Sequence, residues 1–265
     1  MSDLKFGIIL PTYNRPELLK RAIASVCDND YEHWIVVVVD DGSTVDNEDV
    51  IELFDDDRIV YIRLEKNSGV NKARNVALSW LLKSDCDYIG LLDDDDQLLP
   101  QALSQVSMII SEYPELGWYV FNAIDDKGQK ITQAKEYKPM YYLSYLVEEN
   151  LTGDAPPFIS KKLLSNSKFS TKIINGKEVI FFLSIKSKMY LFDCDVILRV
   201  YYDGGLTSKE KSLLQATPSW RIALKKAVSK VFIKSLMKIV SPYTISKYLV
   251  KIYEKYYQLK MKKLS

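Results

Sequence analysis

The sequence predicts an α/β fold, a mostly parallel sheet flanked by helices, and three observations carry that prediction. Short β-rich apolar runs alternate with helical patterns through the first hundred residues, the signature of βαβ units. The runs are continuously apolar, as in strands covered on both faces. Polar clusters follow three of them, at the ends where an open α/β sheet binds its ligand.

The elements follow in order. Lys5–Leu10 is the first strand, and the helix opening near Pro16 places Leu18, Leu19, Ile23 and Val26 on one face. Trp34–Asp40, with valine at every position from 36 to 39, is the second strand and Arg58–Leu64 the third. The helix Asn71–Lys83 presents Ala73, Val76, Ala77, Trp80 and Leu81, and Asp87–Leu92 is the fourth strand. A helix after Pro100 runs through Leu103, Val106, Ile109 and Ile110 and stops before Pro114, and a strand follows at Trp118–Phe121. Asp125-Asp126-Lys127-Gly128 reads as a turn, making residues 117–135 a hairpin or edge pair. Beyond it come a helix near Tyr141–Glu149, a loop at Pro156-Pro157 and a helix around Lys177–Ser187. Two C-terminal amphipathic helices, Trp220–Val240 and Tyr243–Lys262, are separated by Ser241-Pro242, where the proline opens the second.

Composition narrows the chemistry. With 265 residues, 47% hydrophobic and 27% charged, the chain is globular and neither disordered nor fibrous. Cys27, Cys86 and Cys194 are too few and too scattered for a disulfide framework or a zinc site, which points to a reducing compartment. His33 is the single histidine, so acid/base work falls to carboxylates, Lys or Tyr. The start, MSDLKFGIIL, lacks the features of a leader peptide, and no window approaches the ~18 apolar residues of a spanning helix, so a cytoplasmic protein is expected. The net charge of +1 hides an asymmetry: from Lys209 onward fourteen basic residues face only Glu210 and Glu254, which leaves an acidic body and a basic tail.

Pro11-Thr12-Tyr13-Asn14, Asp40-Asp41-Gly42-Ser43-Thr44 and Asp93-Asp94-Asp95-Asp96 follow the first, second and fourth strands, and parallel strands bring all three to one sheet edge. Two like charges ~4 Å apart cost about 4 kcal/mol at an effective dielectric of about 20, so four adjacent carboxylates require positive charge nearby. With no His or Cys at hand, a hard divalent ion is the economical source, Mg²⁺ or Mn²⁺ completing its shell with substrate phosphates. The other acidic run, Asp55-Asp56-Asp57, reads as a solvated turn.

The runs FGIILPTYNRPELLKRAIASV, IVVVVDDGST, LEKNSGVNKARNVAL and YIGLLDDDDQLLP, in this order over about residues 5–125, resemble the nucleotide-sugar domain of family-2 glycosyltransferases. The resemblance implies a GT-A fold, a Rossmann-like, mostly parallel sheet. With the charge boundary at Lys209, the chain then divides into a donor subdomain at 1–125, an acceptor and catalytic subdomain at 126–208 and the basic tail at 209–265. The resemblance also implies that Pro11, Thr12 and Tyr13 line the nucleotide base and that Asp41 hydrogen-bonds uracil. Arg74 then stands at the nucleotide end with Gly69 and Lys72 beside it, Asp93 and Asp94 face ribose and donor, and Asp95 binds Mn²⁺ or Mg²⁺ at the diphosphate, Asp96 allowing a frame one residue later. In Asn175-Gly176-Lys177-Glu178-Val179-Ile180-Phe181-Phe182 the family pattern makes Glu178 the general base, with Asp154 its rival and an ordinary helix-start glutamate the plain alternative.

Such an enzyme is an inverting glycosyltransferase that moves a sugar from a nucleotide-sugar, by family weight a UDP-hexose or UDP-N-acetylhexosamine, to a glycan acceptor hydroxyl. The resemblance and the tail together point to a lipid-linked glycolipid acceptor at the inner face of the cell membrane, in surface polysaccharide or lipopolysaccharide assembly. Lys226, Lys230, Lys234 and Lys238 form a cationic ridge, repeated at Lys247, Lys251 and Lys255. Two uses of residues 220–263 stand side by side: peripheral contact with anionic membrane, or packing on the acidic body with the lysines in water. No nucleic acid is expected, since no reading module accompanies the charge. The competing function is a catalytically degenerate homologue serving as a nucleotide-binding or scaffold subunit, motivated by Lys177 where an acid is common.

Overall fold

The computed structural model describes residues 3–132, 138–147, 155–171, 178–200 and Ile245. Strand β1 (Phe6–Thr12) is buried at every position, because it pairs in parallel with β2 (Trp34–Asp40) on one side and β4 (Tyr88–Leu91) on the other. Strand β3 (Ile59–Arg63) extends the parallel set beyond β2. The crossovers carry α1 (Pro16–Cys27), which opens on its proline, then α2 (Glu48–Glu52) and α3 (Val70–Leu81). Alternate strand residues feed two cores, as the pleat requires. Val37 and Val39 pack with Ala73, Ala77, Leu78 and Leu81 of α3, whereas Val36 and Val38 pack with Leu19, Ile23 and Val26 of α1 and with Leu103, Val106 and Ile110 of α4 (Ala102–Glu112). Each of these valines, fully buried, contributes about 1.5–3 kcal/mol.

The second half departs from the sequence reading. Between β4 and α4 lies a short strand, β5 (Asp96–Leu98). Strand β6 (Trp118–Ile124) lies inside the sheet, antiparallel to β8 (Pro157–Ser160) and parallel to β9 (Met189–Arg199). The expected loop at Pro156-Pro157 is therefore the start of a strand, β8, where a residue without an N–H is tolerated. Strand β9 also pairs antiparallel with β5 and with β7 (Lys138–Met140). The strand order is β3-β2-β1-β4-β8-β6-β9-β5, a mixed sheet whose parallel half is the expected one.

The turn at 125–128 forms, with the Gly128 N–H donating to the Asp125 carbonyl at 3.0 Å, and among the described residues it closes an antiparallel bridge between Ile124 and Lys130, with the Ile131 N–H donating to the Ala123 carbonyl at 2.8 Å, at the end of a strand that lies inside the sheet and not at its edge. In the 55–57 run, Asp56 is only partly solvated, paired at 2.7 Å with Arg58, whose guanidinium lies 3.9 Å from the Trp34 ring. Three further short helices are α5 (Tyr142–Val147), α6 (Lys161–Leu164) and α7 (Val179–Ser184). The expected tail helices lie outside the described residues except for Ile245, which is 7% exposed within the α3-side core. No helix among the described residues is long and apolar enough to cross a membrane.

Candidate active site

The parallel strands deliver the polar clusters to one sheet edge. Thr12 ends β1 in register with Asp40 at the end of β2. Asp40 is fully buried and accepts from the Ser43 N–H and the Asn47 amide, each at 2.8 Å, and from the Tyr61 hydroxyl at 3.0 Å, so it builds the loop from within. Asn14, in the left-handed region at φ 56, ties that loop to the end of β1: its N–H donates to Ser43 Oγ at 2.8 Å and its Oδ1 accepts from the Thr44 N–H at 2.7 Å. Asp41 accepts from the Ser68 and Gly69 N–H groups at 2.8 and 2.7 Å, which fixes the entry to α3. Burial pushes the Asp41 carboxyl above its ordinary value, and the two N–H bonds oppose that shift.

Gly42 explains how these loops approach so closely. Its φ is +73°, and a Cβ there would lie 2.4 Å from the Lys66 carbonyl carbon. Gly42→Ala is expected to cost about 1–3 kcal/mol from the backbone conformation alone. The contact is with backbone, which cannot swing aside, so the loss should appear as a lower urea midpoint at unchanged slope. An unaltered midpoint would contradict the geometry.

The acidic run between β4 and β5 alternates. Asp94 and Asp96 are buried, 6% and 3% exposed, whereas the side chains of Asp93 and Asp95 are 41% and 35% exposed. The positive charge that four adjacent carboxylates require comes in large part from arginines. Arg15 Nη1 donates to Asp94 at 2.9 Å and to Asp95 at 3.3 Å, and Thr12 Oγ1 donates to Asp94 at 2.9 Å. Arg199, at the end of β9, grips Asp96 through Nε at 2.9 Å and Nη2 at 2.6 Å. Arg74, itself 3% exposed, donates from Nη2 to Asp93 at 2.6 Å and from Nη1 to Glu178 Oε1 at 2.5 Å.

Burial pushes Asp94 up to about 7 and Asp96 to about 6, with Arg15 and Arg199 opposing. Burial also raises Asp95, and the neighbouring Asp93 charge adds to it. Asp93 goes the other way: burial disfavours its charge, but Arg74 outweighs that and holds its carboxyl below the ordinary range.

Thr12, Arg74, Asp93, Asp94, Asp95 and Glu178 thus meet from β1, α3, the β4–β5 turn and the start of α7. Tyr13, 39% exposed, stands beside Thr12, and Pro11 is buried within β1. Gly69 caps α3 and Lys72 is exposed on its first turn. Asp154 lies outside the described residues. Sequence reasoning missed Arg15 and Arg199. Arg15 was within reach, as a basic residue next to the first polar cluster, but Arg199 ends a strand whose pattern is broken by Asp193-Cys194-Asp195.

Among the described residues no group of three or more His, Cys, Asp or Glu is arranged to hold an ion unaided. The half-buried pair Asp93 and Asp95 is an all-oxygen donor set. Counting Glu178, five carboxylates there meet three guanidiniums. An incomplete oxygen set with surplus negative charge fits a hard divalent ion that takes its remaining ligands from phosphates.

The model of the family described as Glycosyl transferase family 2 matches residues 7–193. A GalNAc(5)-diNAcBac-PP-undecaprenol beta-1,3-glucosyltransferase of Campylobacter jejuni is 28% identical over 215 residues, 77% of this chain and 67% of that protein. The putative colanic acid biosynthesis glycosyl transferase WcaA of Escherichia coli K12 is 30% identical over 204 residues, 75% of this chain and 67% of that protein. Among solved structures, residues 1–349 of Staphylococcus aureus TarS in complex with UDP-GlcNAc superpose with a TM-score of 0.66 at 21% identity, over 77% of this chain and 61% of that one. The chain therefore spans about two-thirds of these curated relatives and about three-fifths of the solved chain. The fold is GT-A, and with a family match running from the first strand into the ninth, the chain belongs to glycosyl transferase family 2.

Proposed function

We propose that the chain transfers a sugar from a UDP-hexose or UDP-N-acetylhexosamine to a hydroxyl of a lipid-linked glycan, with inversion, in surface polysaccharide assembly. The observation that carries this reading is Arg74, which joins Asp93 of the acidic run to Glu178 through one buried guanidinium. It sets a carboxylate from the second half of the chain beside the carboxylates of the first. The UDP-GlcNAc complex of TarS supports a nucleotide-sugar donor, and the undecaprenol-linked substrate in the Campylobacter jejuni relative's name supports a glycolipid acceptor.

In this reading Pro11, Thr12 and Tyr13 border the base, Tyr13 offering an exposed ring face, and Asp41 offers a hydrogen-bond acceptor to uracil. Asp94 holds Thr12 and Arg15 in place behind the donor, and Asp93 orients it. Asp95, with Asp93 beside it, would hold Mn²⁺ or Mg²⁺, which when bound supplies Lewis-acid stabilisation of the charge on the departing diphosphate. Glu178, 28% exposed, takes the proton of the acceptor hydroxyl as that oxygen attacks the anomeric carbon. A new C–O bond forms while the bond to the diphosphate breaks, its electron pair leaving on the diphosphate oxygen. A glycosidase would need a second carboxyl to protonate the leaving group, whereas a diphosphate leaves as a stable anion and needs no proton. The basic tail would hold the enzyme to anionic lipid at the inner membrane face, at about 1 kcal/mol per basic residue near the surface.

Calorimetric titration of UDP with and without Mn²⁺, on the protein and its Asp95→Asn variant, tests the donor site. Expected is Mn²⁺-dependent binding that weakens at least tenfold in the variant, about 1.4 kcal/mol. Equal binding with and without Mn²⁺ would remove the metal from the reading. Lack of UDP binding would move the donor to another nucleotide, and lack of binding by GDP and dTDP as well would favour the scaffold function.

A further inference from the structure

Helix α3 carries Asn71, Arg74 and Asn75, spaced so that all three lie on one stripe. Arg74 reaches Glu178, and both asparagines reach the segment that precedes it. Asn75 grips Phe169 in both directions: its Nδ2 donates to the Phe169 carbonyl at 2.9 Å, and its Oδ1 accepts from the Phe169 N–H at 2.8 Å. Asn71 Nδ2 donates to the Ser170 carbonyl at 2.9 Å. The Phe169 ring lies flat on Phe181, centroids 3.9 Å apart and planes 8° from parallel, and the Arg74 guanidinium sits 5.8 Å from its centre. Phe181 belongs to the first turn of α7, the helix that begins just after Glu178 and whose Phe182 N–H donates to the Glu178 carbonyl at 2.9 Å.

Asparagine is a poor interior helix residue, because its amide competes for backbone bonds. Here both amides are directed away from their own helix to a strandless segment 94 and 99 residues on. On the reading of Glu178 as base, we propose that Asn75 is a positioning residue for it: the two-way amide grip fixes Phe169, the stacked Phe181 transmits that position, and Glu178 is held where an acceptor hydroxyl meets it. A base must sit about 2.6–3.2 Å from the oxygen whose proton it takes, and a 1 Å misplacement can cost about 10²-fold. Asn75 makes none of its hydrogen bonds to Asp93 or Asp95, so UDP affinity reads the donor side separately from the positioning of Glu178.

The test is a double-mutant cycle of Asn75→Ala and Glu178→Gln, reading Mn²⁺-supported turnover of UDP-GlcNAc and UDP-glucose with water as acceptor, and UDP affinity by calorimetry. Asn75→Ala is expected to lower kcat 10–100-fold with UDP affinity within twofold, and to add less than twofold to the loss in Glu178→Gln. Asn75→Asp keeps the acceptor for the Phe169 N–H but loses the donor to its carbonyl, and should fall between; it serves as the readout if the alanine variant does not fold. An unchanged kcat overturns the proposal. So does an equal loss in both backgrounds, or a parallel loss of UDP affinity, because Asn75 would then act on the fold or the donor site. Turnover retained in Glu178→Gln instead sinks the base assignment while leaving the grip of Asn75 on Phe169 as a structural contact.

Discussion

Glu178→Gln is expected to lower turnover by about 10²–10⁴-fold while leaving UDP affinity within about twofold, the range general-base catalysis supplies. The substitution keeps the shape of the side chain and an oxygen for Arg74 Nη1, which now donates to Glu178 Oε1 at 2.5 Å. It removes the capacity to take a proton, together with the negative charge that faces Arg74. The groups assigned to the nucleotide, Tyr13 and Asp41, stand on the loops after β1 and β2, and Asp93 and Asp95 on the β4–β5 turn, so none depends on α7 for its position. UDP release, followed alongside calorimetric UDP binding, separates the two effects. Turnover within tenfold of the parent would transfer the base to another carboxylate, Asp154 being the next candidate. Loss of UDP binding together with turnover would make Glu178 part of the donor cradle.

The first half of the fold was legible because a parallel strand buried on both faces writes itself as unbroken apolar sequence. The valines of β2 mark the strand to the residue, and β1, β3 and β4 fall within two residues of expectation. The same rule fails for β8 and β9. Two prolines at the head of β8 read as a loop although only its first position must do without an N–H. In β9 the polar Asp193-Cys194-Asp195 falls where the register against β6 shifts, and a bulge is invisible to periodicity. The candidate site divides likewise. Strand-end clusters are local, and topology alone brings them together. The repulsion among the four aspartates was a sound inference that charge must be supplied, but its main suppliers lie far off in sequence, Arg199 being 103 residues from Asp96.

Arg74 should show the largest combined effect on stability and activity. Its guanidinium is buried and bridges Asp93 and Glu178, and removing one member of a buried ion pair costs about 3–5 kcal/mol because the partner is stranded. Here the stranded carboxylates are 41% and 28% exposed, so water recovers part of that, and Arg74→Met is expected to cost about 2–3 kcal/mol in urea unfolding. The sign with pH is fixed by Asp93, whose carboxyl Arg74 holds low. That contribution is present above the ordinary carboxylate range and is lost as pH falls through the lowered value, so the stability gap between the parent and Arg74→Met should be full at neutral pH and shrink as pH falls through that range. Arg74→Lys decides whether charge or shape matters. An ammonium restores the charge but is a single point, unable to reach two carboxylates along the separate arms of a planar fork. Arg74→Lys should therefore recover much of the stability and little of the turnover, since Asp93 and Glu178 would no longer share one rigid anchor. Parent-like turnover in the lysine variant would mean that positive charge alone suffices and that the bridge does not set the geometry of the reaction.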